Sequence, residues 1–263
     1  LELARDEAQR HARNLAERID DAGDRLVPGY RSRFGGLWPD ANDAPQRLAK
    51  KLAAHELEPD LAPLFEQWMR EGYAVLERAV DERSVDALRS ELDGLFSLRN
   101  REVFCEHFED GRRVTELAAR RHRDRNVKIL DLYAHSETAR AVAFAEPIRR
   151  FLAALFEDDP LAFQSLTFRI GSEQSMHQDT AYVGVVSPLE LVGVWVALED
   201  VREGSGELAY YPGSHRFDEW VWDGRTKRMP LGHAQHTAYL DSLVAQAAAR
   251  GIERRLFRPR KGD

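Results

Sequence analysis

Along this chain the apolar positions change their period. In the first 22 residues Ala8, Ala12, Leu15 and Ile19 recur on one helical face among charged neighbours, and Ala22-Gly23 offers a stop. Residues 27–45 hold three Pro and three Gly together with Phe34, Leu37 and Trp38. That composition predicts a connector that tucks against a core. The spacing of Leu61, Leu64, Phe65, Trp68 and Met69 predicts a helix that stops at Gly72. Residues 73–76 then read as a short strand. Val85, Leu88, Leu92 and Leu95 place another helix over 84–96, with Asp81 or Ser84 as its cap.

Further on, alternation of period two takes over. In 126–134 Val127, Ile129 and Asp131 fall on one side of a predicted strand, and Lys128, Leu130 and Leu132 on the other. Two helical patches follow, 136–146 and 147–157, and 162–170 is again strand-like. The clearest strand is 191–200. Val192, Val194, Val196 and Leu198 form one face there, and Gly193, Trp195, Ala197 and Glu199 the other. A strand at 206–211 ends at Pro212-Gly213, and a helix at 240–250 ends at Gly251. There are no internal repeats. Helices first, then short strands with little helix between them, exclude a regular alternating α/β sheet. They predict an α+β or mainly β domain, such as a β-sandwich, with an N-terminal helical layer.

Composition narrows the function classes. Apolar residues are 43% and charged residues 32%, which supports a core and excludes disorder as the dominant state. No run approaches the roughly 18–20 apolar residues of a membrane span. The 38 basic and 45 acidic residues give −7, which argues against nucleic acid as the main partner. Cys105 is the single cysteine, so no disulfide within the chain and no Cys-rich zinc site can form. One free thiol suits a reducing cytosol, and a cytoplasmic protein is expected. The start at Leu1, with no leader pattern, reads as a trimmed or partly observed chain. Arg112, Arg113, Arg120, Arg121, Arg123 and Arg125 crowd 111–125 against Glu116 and Asp124. They form either a solvated basic face or a rim that draws in an anionic substrate.

The segment that carries candidate chemistry is Gly171-Ser-Glu-Gln-Ser-Met-His177-Gln178-Asp179-Thr180. On an extended segment residues two apart point the same way, so His177 and Asp179 can reach one ion. Imidazole, carboxylate and a second, distant imidazole make the facial triad of non-haem Fe(II) oxygenases, with three positions left open. A lone His-x-Asp arises by chance; its surroundings here make it specific.

Those surroundings carry a resemblance. The run from His177-Gln178-Asp179 through Trp195-Val-Ala-Leu-Glu-Asp200 to Gly206-Glu-Leu and Pro212-Gly-Ser-His215 resembles the phytanoyl-CoA dioxygenase family. Upstream, Phe65-Glu-Gln-Trp-Met-Arg-Glu-Gly72-Tyr73 resembles the family's opening helix. The likeness covers roughly 61–263, which makes 1–60 a helical extension and connector, or an interaction module. It implies a double-stranded β-helix (jelly roll), Fe(II) and O2, 2-oxoglutarate as cosubstrate, and a small-molecule substrate that is oxidised as 2-oxoglutarate becomes succinate. It implies His177 and Asp179 as iron ligands, Lys128, Trp195 and Gln178 around the cosubstrate, and Gln164 near the substrate. Bland readings stand beside these: an exposed strand lysine, a core tryptophan and a glutamine bonded to backbone. His215 belongs to a turn that is architectural in the family.

The family's third ligand is a His on a late strand after a Lys-Gly-Asp-type turn, with a cosubstrate-binding Arg further on. The sequence reaches Lys261-Gly262-Asp263, so both are expected past Asp263. The alternatives are a truncated chain, or His233 or His236 as a ligand from within, each otherwise a solvated loop histidine. If the third ligand is genuinely missing, the protein is a non-enzymatic jelly roll that binds a small molecule.

Overall fold

The computed structural model describes residues 32–96, 102–171, 174–230, 232 and 234–263. The helix expected over 1–22 and the candidate His233 lie outside them. The described elements are, in order, helices α1 (Ala44–Ala53), α2 (Ala62–Glu71) and α3 (Glu82–Leu95), strands β1 (Phe104–Glu109), β2 (Arg112–Leu117) and β3 (Lys128–Leu130), helices α4 (Leu132–His135), α5 (Glu137–Ala143) and α6 (Glu146–Phe156), strands β4 (Leu166–Phe168) and β5 (Leu208–Tyr210), helix α7 (His236–Ala249) and strand β6 (Arg255–Phe257). The fold is mixed helix and sheet, and every ladder among the described residues is antiparallel.

The chain divides into two compact units, each threaded from three stretches. One unit contains 32–74, 177–193 and 212–253. Its first helices follow from local signals. Pro45 and Pro63 sit in the first turns of α1 and α2, where a missing N–H costs nothing. Gly72 closes α2 in the left-handed region at φ +84°. Phe34, Leu37 and Trp38 of the expected connector are buried, and the Trp38 ring lies 4.8 Å from that of Phe65, which is fully buried. The connector therefore packs as its aromatics predict, although α1 starts inside it. Trp68 donates its indole N–H to Asp40 at 2.9 Å, and burial raises the Asp40 carboxyl above its usual range.

The other unit contains 75–176, 194–211 and 254–263. Asp81 caps α3 by accepting the backbone N–H of Ser84 at 3.1 Å. The helix buries Val85, Leu88 and Leu92 as its periodicity predicts. Each such side chain contributes about 1.5–3 kcal/mol relative to exposure. They pack with Cys105, Val127, Ile129, Leu132, Val142 and Ile148 on one face of a four-stranded sheet ordered β2-β1-β3-β4. The opposite face leaves Phe104, Phe108, Leu117 and Leu166 exposed. Strands β5 and β6 form a separate pair.

Four strand expectations need correction. The predicted strand at 126–134 is laddered only over β3, because Asp131 adopts φ +46° and turns the chain into α4. Asp tolerates that conformation better than most residues. The bend is tied down by the Asp131 N–H to the Ser165 carbonyl and the Ser165 N–H to the Asp131 carboxylate, both 2.9 Å. Residues 73–76 form no strand, and 162–170 shrinks to β4. The run 191–200 joins no sheet among the described residues. Its far end bonds instead to the last residues, Ala197 N–H to the Asp263 carbonyl at 3.0 Å and Gly262 N–H to the Ala197 carbonyl at 2.8 Å. Alternation reports two unlike faces; it does not report a ladder partner.

Candidate functional site

Gln178 is extended (φ −112°, ψ 131°), and a 3-10 turn over Asp179–Ala181 follows it. The turn is fixed by Ala181 N–H to the Gln178 carbonyl at 3.0 Å and by Tyr182 and Val183 N–H groups to the Asp179 carbonyl, each 2.9 Å. His177 and Asp179 thus flank one extended residue and lean together, His177 Nε2 lying 3.4 Å from Asp179 Oδ1. Two ligand atoms bound side by side at about 2.0–2.2 Å from one ion come to a similar separation, so the pair fits two positions of a metal site. The Asp179 side chain is 58% exposed and that of His177 21%.

Two tyrosines of the same unit support the pair. The Tyr182 ring stands edge-on to His177 with centroids 5.2 Å apart, and its hydroxyl hydrogen-bonds His236 Nε2 at 2.7 Å. His236 is therefore engaged with Tyr182, and it forms no three-membered ligand group with His177 and Asp179 among the described residues. Tyr239, buried on α7, accepts the Gln178 N–H at 2.8 Å, and burial pushes its phenol up to about 12. Sequence reasoning passed over both tyrosines. Tyr239 lies about sixty residues from the motif it touches, and no local pattern announces such a contact.

The remaining expected residues are placed as follows. Lys128 lies half-buried on β3 opposite Glu106, its ammonium 3.7 Å from that carboxylate. Trp195 and Gln164 are exposed, so the reading of Trp195 as an ordinary core residue fails. Lys128, Gln164 and Trp195 belong to one unit and His177, Gln178 and Asp179 to the other. His215 sits in the turn after Pro212-Gly213, against Gly72. The Gly213 N–H donates to the Glu71 carbonyl at 2.7 Å, and burial lowers the imidazole to about 4. That is an architectural place. In the arginine run, Arg113 faces Glu106 at 3.6 Å and Arg121 pairs with Glu116.

A second group with metal-ligand chemistry is His107, Glu116 and His122, whose ligand atoms lie within 4.8 Å of one another. No spacing motif marks it, because β1, β2 and the turn after them each supply one member. Glu116 Oε1 lies 2.8 Å from His122 Nε2 and 3.0 Å from His107 Nε2. The Ala119 N–H donates to His122 Nδ1 at 3.0 Å. That nitrogen must then be the acceptor, so His122 Nε2 carries the proton and donates to Glu116. The hydrogen bonds from His107 and His122, with Arg121, hold the Glu116 carboxyl down to about 2. The trio fits a half-buried carboxylate held by two buried imidazoles better than a metal site. A metal on His122 Nε2 would put the ring proton on Nδ1, against the Ala119 N–H.

The family model described as phytanoyl-CoA dioxygenase (PhyH) matches residues 68–248, well over half of the chain. The protein belongs to the phytanoyl-CoA dioxygenase family. It is 32% identical over 102 residues to phytanoyl-CoA dioxygenase domain-containing protein 1 of Danio rerio, a match covering 37% of this chain and 33% of the relative. The Mus musculus protein of that name is 28% identical over 124 residues, 44% of this chain and 40% of the relative. Dioxygenase aneA of Aspergillus aculeatus is 24% identical over 193 residues, 68% of this chain and 61% of the relative. The chain thus spans between a third and about three fifths of these relatives. No solved structure matches it significantly. Among the described residues no helix is long and apolar enough to cross a membrane.

Proposed function

We propose that this protein is an Fe(II)- and 2-oxoglutarate-dependent dioxygenase that hydroxylates, or otherwise oxidises, a small organic substrate. The observation that carries the proposal is the His177–Asp179 pair, 3.4 Å apart, in a chain of a family that uses this chemistry. His177 and Asp179 would hold the iron, with a further imidazole completing the set. When bound, the iron with its cosubstrate and O2 supplies the oxidising power, as 2-oxoglutarate goes to succinate and CO2.

The chain's own residues supply placement. The Asp179 carboxylate fills a ligand position that halogenating relatives of such oxygenases leave to a small residue, which favours hydroxylation. Lys128 would offer its ammonium to a cosubstrate carboxylate, in exchange for its present neighbour Glu106. Trp195 and Gln178 would border the cosubstrate and Gln164 the substrate, on a jelly-roll framework formed by 61–263. The basic run over 111–125 favours a substrate with an anionic group. Buried, singly present Cys105 fits a cytoplasmic setting.

The test is turnover of 2-oxoglutarate by the intact protein with Fe(II) and O2. Succinate should accumulate, slowly without substrate, and stop in Asp179→Ala. Equal succinate from both proteins would remove the assignment.

A further inference from the structure

Helix α7 sends two side chains, one turn apart, to the stretch from His177 to Tyr182. His236 and Tyr239 are three residues apart, hence on one helical face. His236 bonds the Tyr182 hydroxyl, and the Tyr182 ring abuts His177. Tyr239 goes deeper. Its side chain is 1% exposed, its ring lies between 5 and 6 Å from those of Trp220 and Trp222, and its hydroxyl accepts the Gln178 N–H at 2.8 Å. The same hydroxyl points back to the Gln178 carbonyl at 3.4 Å.

Gln178 is the residue between the paired imidazole and carboxylate. A rotation of its peptide planes swings His177 and Asp179 in opposite senses, because their side chains hang from its two ends. The carbonyl side of Gln178 is fixed locally by the Ala181 N–H of the 3-10 turn. The N–H side has Tyr239 as its partner, an extended backbone offering no local one. A phenol ring is rigid and carries its hydroxyl far from the helix axis, and the surrounding indoles hold it in place. We infer that Tyr239 is a positioning residue of the candidate metal centre, setting the separation of His177 and Asp179 through the backbone of Gln178. This inference rests on the proposed function, and it adds a residue that lies outside the ligand motif.

The test is Co(II) titration of the intact protein, followed by the visible d–d bands and by the dissociation constant. It compares wild type, His177→Ala, Tyr239→Phe and Leu243→Val. Leu243 is buried on α7 but makes no hydrogen bond to the motif, so its variant loosens the helix alone. Tyr239→Phe keeps the ring and removes only the hydroxyl. The expected result is Co(II) binding that His177→Ala abolishes, with Tyr239→Phe weaker by roughly tenfold and its bands shifted, the low end of what outer-shell partners contribute. Leu243→Val should match the wild-type spectrum and affinity. Wild-type affinity and bands in Tyr239→Phe would overturn the inference and leave the metal site standing. An equal loss in Leu243→Val would overturn it too, by making the effect general to α7. Absence of Co(II) binding in the wild type would remove the proposed function itself, and the inference with it.

Discussion

Gly193 stands against the carboxylate of Asp179: a β-carbon added to it would lie 3.1 Å from Asp179 Oδ2. Few real side chains tolerate so close a contact, and here the neighbour that must yield is the candidate ligand atom. Gly193→Ala is therefore expected to turn the carboxylate away from His177 and to weaken Co(II) or Fe(II) binding about tenfold. Thermal stability should change little, because the residue is exposed. Metal titration alongside a melting curve checks both halves.

A harsher outcome is expected at Gly72. It lies at φ +84°, and a β-carbon there would come 2.4 Å from His215 Nδ1 and 2.8 Å from its ring carbon. Backbone strain and ring displacement combine in Gly72→Ala. The expected cost is about 2–5 kcal/mol, summing a left-handed conformation and an overpacked contact. Urea unfolding measures it. In the double variant with His215→Ala, the ring contacts should be relieved, and the backbone part should remain together with the 3.1 Å contact to the β-carbon of residue 215.

The Glu116 network gives an acid-side signature. Hydrogen bonds from His107 and His122 hold Glu116 down to about 2, against an ordinary value of 4.5. A depressed carboxyl stabilises the fold fully above its unfolded value. That contribution is lost as pH falls from about 4.5 towards 2, where the folded protein must also take up the proton. Glu116→Gln should be less stable at neutral pH and should lose less on acidification across that window. Melting temperatures from pH 7 to pH 2.5 decide the point; parallel curves for both proteins would count against it.

The two imidazole–carboxylate groups separate by stoichiometry. Glu116→Gln and His122→Ala are expected to leave the Co(II) equivalents bound per chain unchanged, whereas Asp179→Ala should reduce them. Loss of one equivalent in Glu116→Gln would assign a metal to the hairpin cluster after all.

Much of this could be read in the sequence because it is local. The α2 and α3 stripes, the Asp81 cap, the stops at Gly72 and Gly251, and the His177–Asp179 alternation each depend on residues a few positions apart. What escaped depends on partners that arrive from afar. The 191–200 run alternates cleanly, yet a strand exists only where another backbone supplies its hydrogen bonds. The trio of His107, Glu116 and His122 is assembled by strand register. Tyr239 reaches Gln178 across sixty residues of chain. Helix α1 starts at the very end of the Pro- and Gly-rich stretch 27–45, where Pro45 opens a helix rather than closing a connector.

The central claim is that His177 and Asp179 bind iron for 2-oxoglutarate chemistry. Anaerobic titration of the intact protein with Fe(II) and then 2-oxoglutarate tests it most directly, read at the weak visible charge-transfer band of the chelate. The account predicts a band in the wild type and none in Asp179→Ala. A folded wild-type protein with no band, or one that persists unchanged in Asp179→Ala, would contradict it.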